Sequence, residues 1–305
     1  MSHDRLVSDI HPDLARIARF LPRNMAGPIV SPLMRGLRHL ARMSAPAGVT
    51  VTAVSSPVPM RVYRPDGLAT PCAALVWMHG GGMVAGNARQ DEASMGAAAK
   101  DLGILIASVD YRLAPKHPYP AALDDCYAAL SWLHQQPEVD PTRVAVGGAS
   151  AGGGLAASLA QVAHDRGELA IAFQLLVYPM LDDRSATRPG VDCTNHRLWS
   201  QKSNAYGWRC YLGTSPAAAP AVPARRADLS GLPPAWIGVG LHDLFHDEDI
   251  EYADRLRAAG VPCQVEVVDG AFHGFDAVAA TTPIAKAFTE GWRSALRDGL
   301  AAATT

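Results

Sequence analysis

Two rhythms of apolar residues run through this chain. Short continuous apolar runs recur at Ala73-Ala74-Leu75-Val76-Trp77-Met78, at Ile104-Leu105-Ile106-Ala107-Ser108-Val109, at Arg143-Val144-Ala145-Val146-Gly147, and over residues 171–178, 235–240 and 264–268. Runs of that length and content predict strands buried on both faces. Between them lie segments of helical character over residues 91–102, 121–134, 155–163, 247–259 and 283–300. Pro120 heads the second of these, where its missing N–H does no harm. Ahead of the first buried run, residues 49–54 and 58–63 predict two antiparallel strands that open the sheet. Pro59 suits only a sheet edge. Strands alternating with helices specify an α/β fold, here a mostly parallel eight-stranded sheet flanked by helices.

Two stretches break this rhythm. Near the start, Leu6, Ile10, Leu14, Ile17 and Leu21 recur on one helical face, and Leu33, Leu37 and Leu40 predict a second helix. Pro22, Pro28 and Pro32 punctuate the segment. Amphipathic helices must lie on something, and Asp4, Asp9 and Asp13 favour the main domain over a membrane surface. The second stretch, residues 181–226, has no strand pattern, although 202–212 reads as helical. That is long for a connection, so an insertion or lid over the active face is expected.

Composition narrows the function classes. With 305 residues, 49% of them hydrophobic, the chain can bury the core of one large domain. A net charge of -2 with both signs interspersed offers no footprint for nucleic acid and no polybasic membrane patch. The five scattered cysteines contain no CxxC pair, which argues against a disulfide framework or a cysteine zinc site. Met1-Ser2-His3-Asp4-Arg5 is followed by no apolar signal core, and no apolar run approaches the ~20 residues that span a bilayer. The expectation is a soluble cytoplasmic protein with no stable membrane association.

The candidate chemistry centres on Gly148-Ala149-Ser150-Ala151-Gly152, between a predicted strand and a predicted helix. Alone it could be an ordinary glycine-rich turn. At such a corner, however, it matches the nucleophile elbow, whose turn is so sharp that a side chain at Gly148 or Gly152 would press on its neighbours. An elbow serine needs a base, an orienting acid and an oxyanion hole. Ligands gather at the carboxyl ends of strands, so each partner should follow a strand directly. His273, among eleven histidines, sits just past the last predicted strand, while His117, His164, His196, His242 and His246 read mostly as surface residues. Asp243 follows the run ending at Gly240. His242 and His246, four residues apart beside acidic neighbours, also match a metal-ligand spacing. No third ligand is obvious, and the position calls for a triad acid. Asp247, Glu248 and Asp249 read as first-turn acids favoured by the helix dipole. His79-Gly80-Gly81-Gly82 follows a buried strand, and its backbone N–H groups, with that of Ala151, could face an oxyanion.

Taken together these residues resemble the hormone-sensitive-lipase-like esterases (bacterial family IV) of the α/β-hydrolase superfamily. Asp110-Tyr111-Arg112-Leu113-Ala114-Pro115-Lys116-His117-Pro118-Tyr119-Pro120-Ala121-Ala122 is close to the family's YRLAPEHPFPAA signature. Leu229-Ser230-Gly231-Leu232-Pro233-Pro234-Ala235 is similar to its LxGLPPA, and Asp243-Leu244-Phe245-His246-Asp247-Glu248 to its DPLRDE. The likeness spans about residues 60–276. It implies a triad of Ser150, Asp243 and His273, an oxyanion hole of Gly81, Gly82 and Ala151, and no metal or organic cofactor. It also implies a catalytic domain over residues 46–305, with a cap built from residues 1–45 and the insertion 181–226. The expected reaction is hydrolysis of short- to medium-chain acyl esters, and a homodimer through an edge strand near the last βα unit. Amide, lactone or carbonate-ester hydrolysis would use the same triad. A ligand-binding protein on this scaffold would typically lack the base, which is present. Two departures stand out: Ala149 replaces a commonly acidic residue, and Leu244 a proline.

Overall fold

The computed structural model describes residues 9–29, 31–32 and 44–303. Eight strands form one sheet: β1 (Val49–Val54), β2 (Met60–Pro65), β3 (Cys72–Met78), β4 (Leu105–Val109), β5 (Val139–Ala149), β6 (Phe173–Val177), β7 (Ala235–His242) and β8 (Cys263–Phe272). Their spatial order is β1-β2-β4-β3-β5-β6-β7-β8. The β1/β2 and β2/β4 pairs are antiparallel and the remaining pairs parallel. The parallel strands β3, β4 and β6 are buried at every position, as their unbroken apolar runs require.

The helices are α1 (Pro12–Ala18), α2 (Glu92–Leu102), α3 (Ala121–His134), α4 (Ala151–Arg166), α5 (Gln201–Leu212), α6 (His246–Ala258), α7 (Phe275–Val278) and α8 (Pro283–Ala302). They cover both faces of the sheet and divide the core in two. One half gathers Val76, Leu130, Leu159 and Ile237 under α3, α4 and α6; the other gathers Leu75, Trp77, Leu175 and Phe288 under α2 and α8. Among the described residues, no helix is long and apolar enough to cross a membrane.

The strand order places the site. From β3 the chain moves to β4 on one side, then returns to β5 on the other. Loops leaving the carboxyl ends of β3 and β5 therefore diverge, and the crevice between them is the topological switch point. His79-Gly80-Gly81-Gly82 follows β3, and Ser150 follows β5.

Several expected boundaries shift. The helix read over residues 6–21 contracts to Pro12–Ala18, because Pro12 starts it and Ile10 is buried ahead of it. Leu6 lies outside the described residues, as does the helix expected at Leu33, Leu37 and Leu40. The helix read from residue 155 begins at Ala151, since the glycines of the elbow are themselves helical. The segment 181–226 has no strand, as expected, and consists of two 3-10 turns around α5.

Candidate active site

Two close approaches make the corner after β5. A side chain on Gly148 would place its Cβ 2.4 Å from the Gly152 carbonyl, and one on Gly152 would lie 2.0 Å from the Met78 oxygen of β3. Helix α4 thus starts in contact with the strand beside its own. Ser150 takes φ 58° and ψ -120°, a conformation that residues bearing a side chain rarely hold. The amide of Ser150 donates to the Val177 carbonyl and that of Gly154 to the Ser150 carbonyl, which pin the strained residue from both sides.

The loops after β7 and β8 bring two further groups to this point. His273 Nε2 lies 2.9 Å from Ser150 Oγ, and its Nδ1 lies 2.7 Å from Asp243 Oδ2. All three residues are buried. The other oxygen of Asp243 accepts the Phe245 amide at 3.0 Å, which fixes the carboxylate plane. Around the imidazole, Tyr178 and Phe245 present ring edges at centroid distances of 4.9 and 5.2 Å. A ring held by packing on two sides and by a carboxylate at Nδ1 presents Nε2 to the hydroxyl.

Gly81 and Gly82 take φ of 127° and 62°, so only glycine holds the loop in this shape without strain. Amides of Val84 and Ala85 donate back to the Gly81 carbonyl. The N–H groups of Gly81, Gly82 and Ala151 have no protein acceptor among the described residues. The loop is braced from behind. His79 stacks on Tyr111 at 4.2 Å, and the Tyr111 hydroxyl donates to the His79 carbonyl at 2.7 Å. The following Arg112 grips Asp125 of α3 through its side chain at 2.7–3.0 Å, and its amide donates to the same carboxylate.

Ser150 and His273 open on a cavity of about 480 Å³. Met25 from the N-terminal segment and Leu198 and Trp199 from the insertion form part of its wall. These two segments join directly: the Leu198 amide donates to the Pro22 carbonyl, and Ser203 Oγ accepts the amides of Met25 and Ala26.

Comparison with known proteins follows the same geometry. A family model described as alpha/beta hydrolase fold matches residues 75–277, which run from β3 through α7. Esterase LipI of Mycobacterium tuberculosis is 37% identical over 253 residues, covering 80% of this chain and 78% of that protein. The chain belongs to the hormone-sensitive-lipase-like carboxylesterases. Among solved structures, this carboxylesterase superposes on esterase LipW from Mycobacterium marinum with a TM-score of 0.87 at 33% identity, covering 96% of each chain. It superposes on a bacterial heroin esterase with a TM-score of 0.86 at 34% identity, covering 96% of this chain and 99% of that one. The enzyme is thus a carboxylic ester hydrolase on an α/β-hydrolase scaffold.

Some residues have environments that sequence patterning misses. Glu248 lies in the first turn of α6, as expected, but does not face solvent. It is buried and accepts the amides of Leu181 and Asp182 at 2.8 and 3.0 Å, fastening the start of the insertion to α6. Burial pushes its carboxyl up to about 8. Asp249 is also fully buried, and burial followed by the charges of Glu248 and Asp243 pushes it well above the usual carboxylate range. His196 is not a surface residue either: it is buried, and burial holds its pKa below the usual imidazole value. Of the two histidines with metal-ligand spacing, His242 Nε2 bonds the Asp9 carbonyl and His246 Nδ1 the Asp247 carboxylate. The spacing of carboxylates along a helix carries no signal for which one is buried; that is set by the insertion packing over α6.

Proposed function

We propose that this carboxylesterase hydrolyses short- to medium-chain acyl esters with Ser150 as nucleophile, His273 as base and Asp243 as its orienting acid. The observation that carries the reading is the imidazole of His273 bridging Ser150 Oγ and Asp243 Oδ2. His273 Nε2 takes the hydroxyl proton as Ser150 Oγ adds to the ester carbonyl carbon. Negative charge moves to the carbonyl oxygen, where the N–H groups of Gly81, Gly82 and Ala151 receive it; one such donor contributes roughly 3–4 kcal/mol in the transition state. The adduct collapses, the C–O bond to the alcohol breaks, and the proton on Nε2 passes to the departing oxygen. Water then gives its proton to the same nitrogen, attacks the acyl-enzyme and releases the acid, returning the proton to Ser150. Asp243 stabilises the imidazolium in both halves without taking the proton. Every proton in these steps rests on a side chain, the alcohol or water, so the reaction as written uses no cofactor. A cavity of about 480 Å³ suits a small ester. The segments that contribute Met25, Leu198 and Trp199 to its wall act as the cap.

The decisive measurement is turnover of p-nitrophenyl butyrate by Ser150→Ala. It should fall by about 10⁴-fold or more while the circular dichroism spectrum is kept. Retained turnover in a folded variant would refute the assignment. An acyl series from acetate to laurate then sets the length limit, with kcat/KM expected to peak at the shorter acids.

A further inference from the structure

A second cavity, of about 580 Å³, lies between α2 and α8. Trp77, Met95 and Trp292 give it an apolar floor, with the two indoles stacked at 6.4 Å. It shares five lining residues with the serine cavity: Gln90, Asp91, Ala149, Tyr178 and Ala277. Ala149 directly precedes the nucleophile and is only half-buried, so a methyl group stands in the wall between the two spaces.

The shared wall lies on the side of His273. Tyr178 packs edge-on to that imidazole, and Asp276 and Ala277 follow it on α7. Because the imidazole hands its proton to the departing oxygen, the alcohol part of an ester must sit on its side. Two carboxylates stand there. Asp91 accepts a bond from Trp77 Nε1 and Asp276 one from the Tyr178 hydroxyl, both at 2.8 Å. Neither has an ion-pair partner among the described residues. Burial and then the neighbouring Asp276 push the Asp91 carboxyl up to about 6, and burial pushes Asp276 up as well. The same cavity carries Lys286, Glu290 and Arg293 from α8, but Lys286 and Glu290 are exposed and Arg293 pairs with Asp101 at 2.8 Å.

We infer that the cavity between α2 and α8 is a subsite for the alcohol portion of the substrate, and that it favours alcohols carrying an ammonium group. The inference rests on ester hydrolysis at Ser150. The half-buried carboxylates Asp91 and Asp276, beside an apolar floor, together favour a weakly hydrated cation, and such a cation supplies the positive charge that neither receives from an ion pair. A neutral alcohol of equal shape gains only the apolar contacts.

The test compares two butyrate esters of matched shape, butyrylcholine and 3,3-dimethylbutyl butyrate, with methyl butyrate as reference. The wild-type kcat/KM for the cationic ester should exceed that for its neutral twin by roughly tenfold. Asp91→Asn keeps an acceptor for Trp77 and removes the charge, and should bring the ratio close to one. Thr289→Trp fills the cavity from α8 and should lower kcat/KM for both larger esters relative to methyl butyrate. A wild-type ratio near one, an unchanged ratio in D91N, or an equal effect of T289W on all three esters would overturn the subsite. Methyl butyrate turnover surviving in S150A would instead overturn the parent reading, so the two failures are distinct.

Discussion

Asp243 illustrates how much a single side chain depends on its neighbours. One of its oxygens meets His273 Nδ1 and the other the Phe245 amide, so the carboxylate is held in plane by two donors of different origin. Asp243→Asn keeps the shape but offers His273 an amide in place of a charge, which favours the wrong tautomer. The expected result is a fall in kcat of about 10⁴-fold with little change in thermal stability, read from p-nitrophenyl butyrate kinetics and a melting curve. A loss below tenfold would mean that this carboxylate does not orient the base. At this scale the sequence is a good guide. Glycines flanking a serine, and a lone histidine after the last strand, are demanded by local geometry and so are visible as spelling. The partners of Tyr178 and the burial of His196 are set by how the chain packs around them, and no local pattern encodes either.

At the scale of elements, Glu248 of α6 ties a helix to the first residues of the insertion. Its carboxyl sits near 8 in the folded chain against an ordinary 4.5, so the native state holds a proton that the unfolded chain releases. Its contribution to stability is complete below pH 4.5 and is lost as pH rises through about 8. Glu248→Gln keeps the acceptor for Leu181 and Asp182 without the titration. Urea unfolding of the two chains should therefore show the variant gaining on the wild type between pH 5 and 9, by on the order of 4 kcal/mol. A difference that stays constant with pH would place the charge elsewhere. The strands themselves were readable because burial on both faces leaves an unbroken apolar run. Their ends were not: β5 begins at Val139, ahead of the expected Arg143, since Pro141 and Thr142 carry no apolar signal.

At the scale of the whole molecule, two pieces of chain far apart in sequence meet beside the serine cavity and, as the proposed cap, roof it. Ser203, fully buried on α5, accepts the amides of both Met25 and Ala26 and so clasps the N-terminal segment to the insertion. Ser203→Ala leaves two amides without that acceptor. It should cost about 1–3 kcal/mol in unfolding free energy and raise KM more than it lowers kcat. A variant with unchanged melting temperature and KM would show that the clasp does not shape the pocket. The α/β architecture and the position of its switch point follow from the order of runs along the chain. From the residues alone, segment 181–226 is visible only as a region without strand pattern, and its reading as a cap comes from the family resemblance, because irregular segments are shaped by what they pack on.

One contact in that roof sets a limit on redesign. A side chain at Gly82 would lie 2.2 Å from the ring of Trp199, so indole and donor loop are in van der Waals touch. An engineer wanting room for bulkier esters would trim Trp199 first. On the proposed role of Gly81 and Gly82, trimming that ring is expected to widen scope and slow the chemistry together, so gains in range are better sought at walls away from this loop.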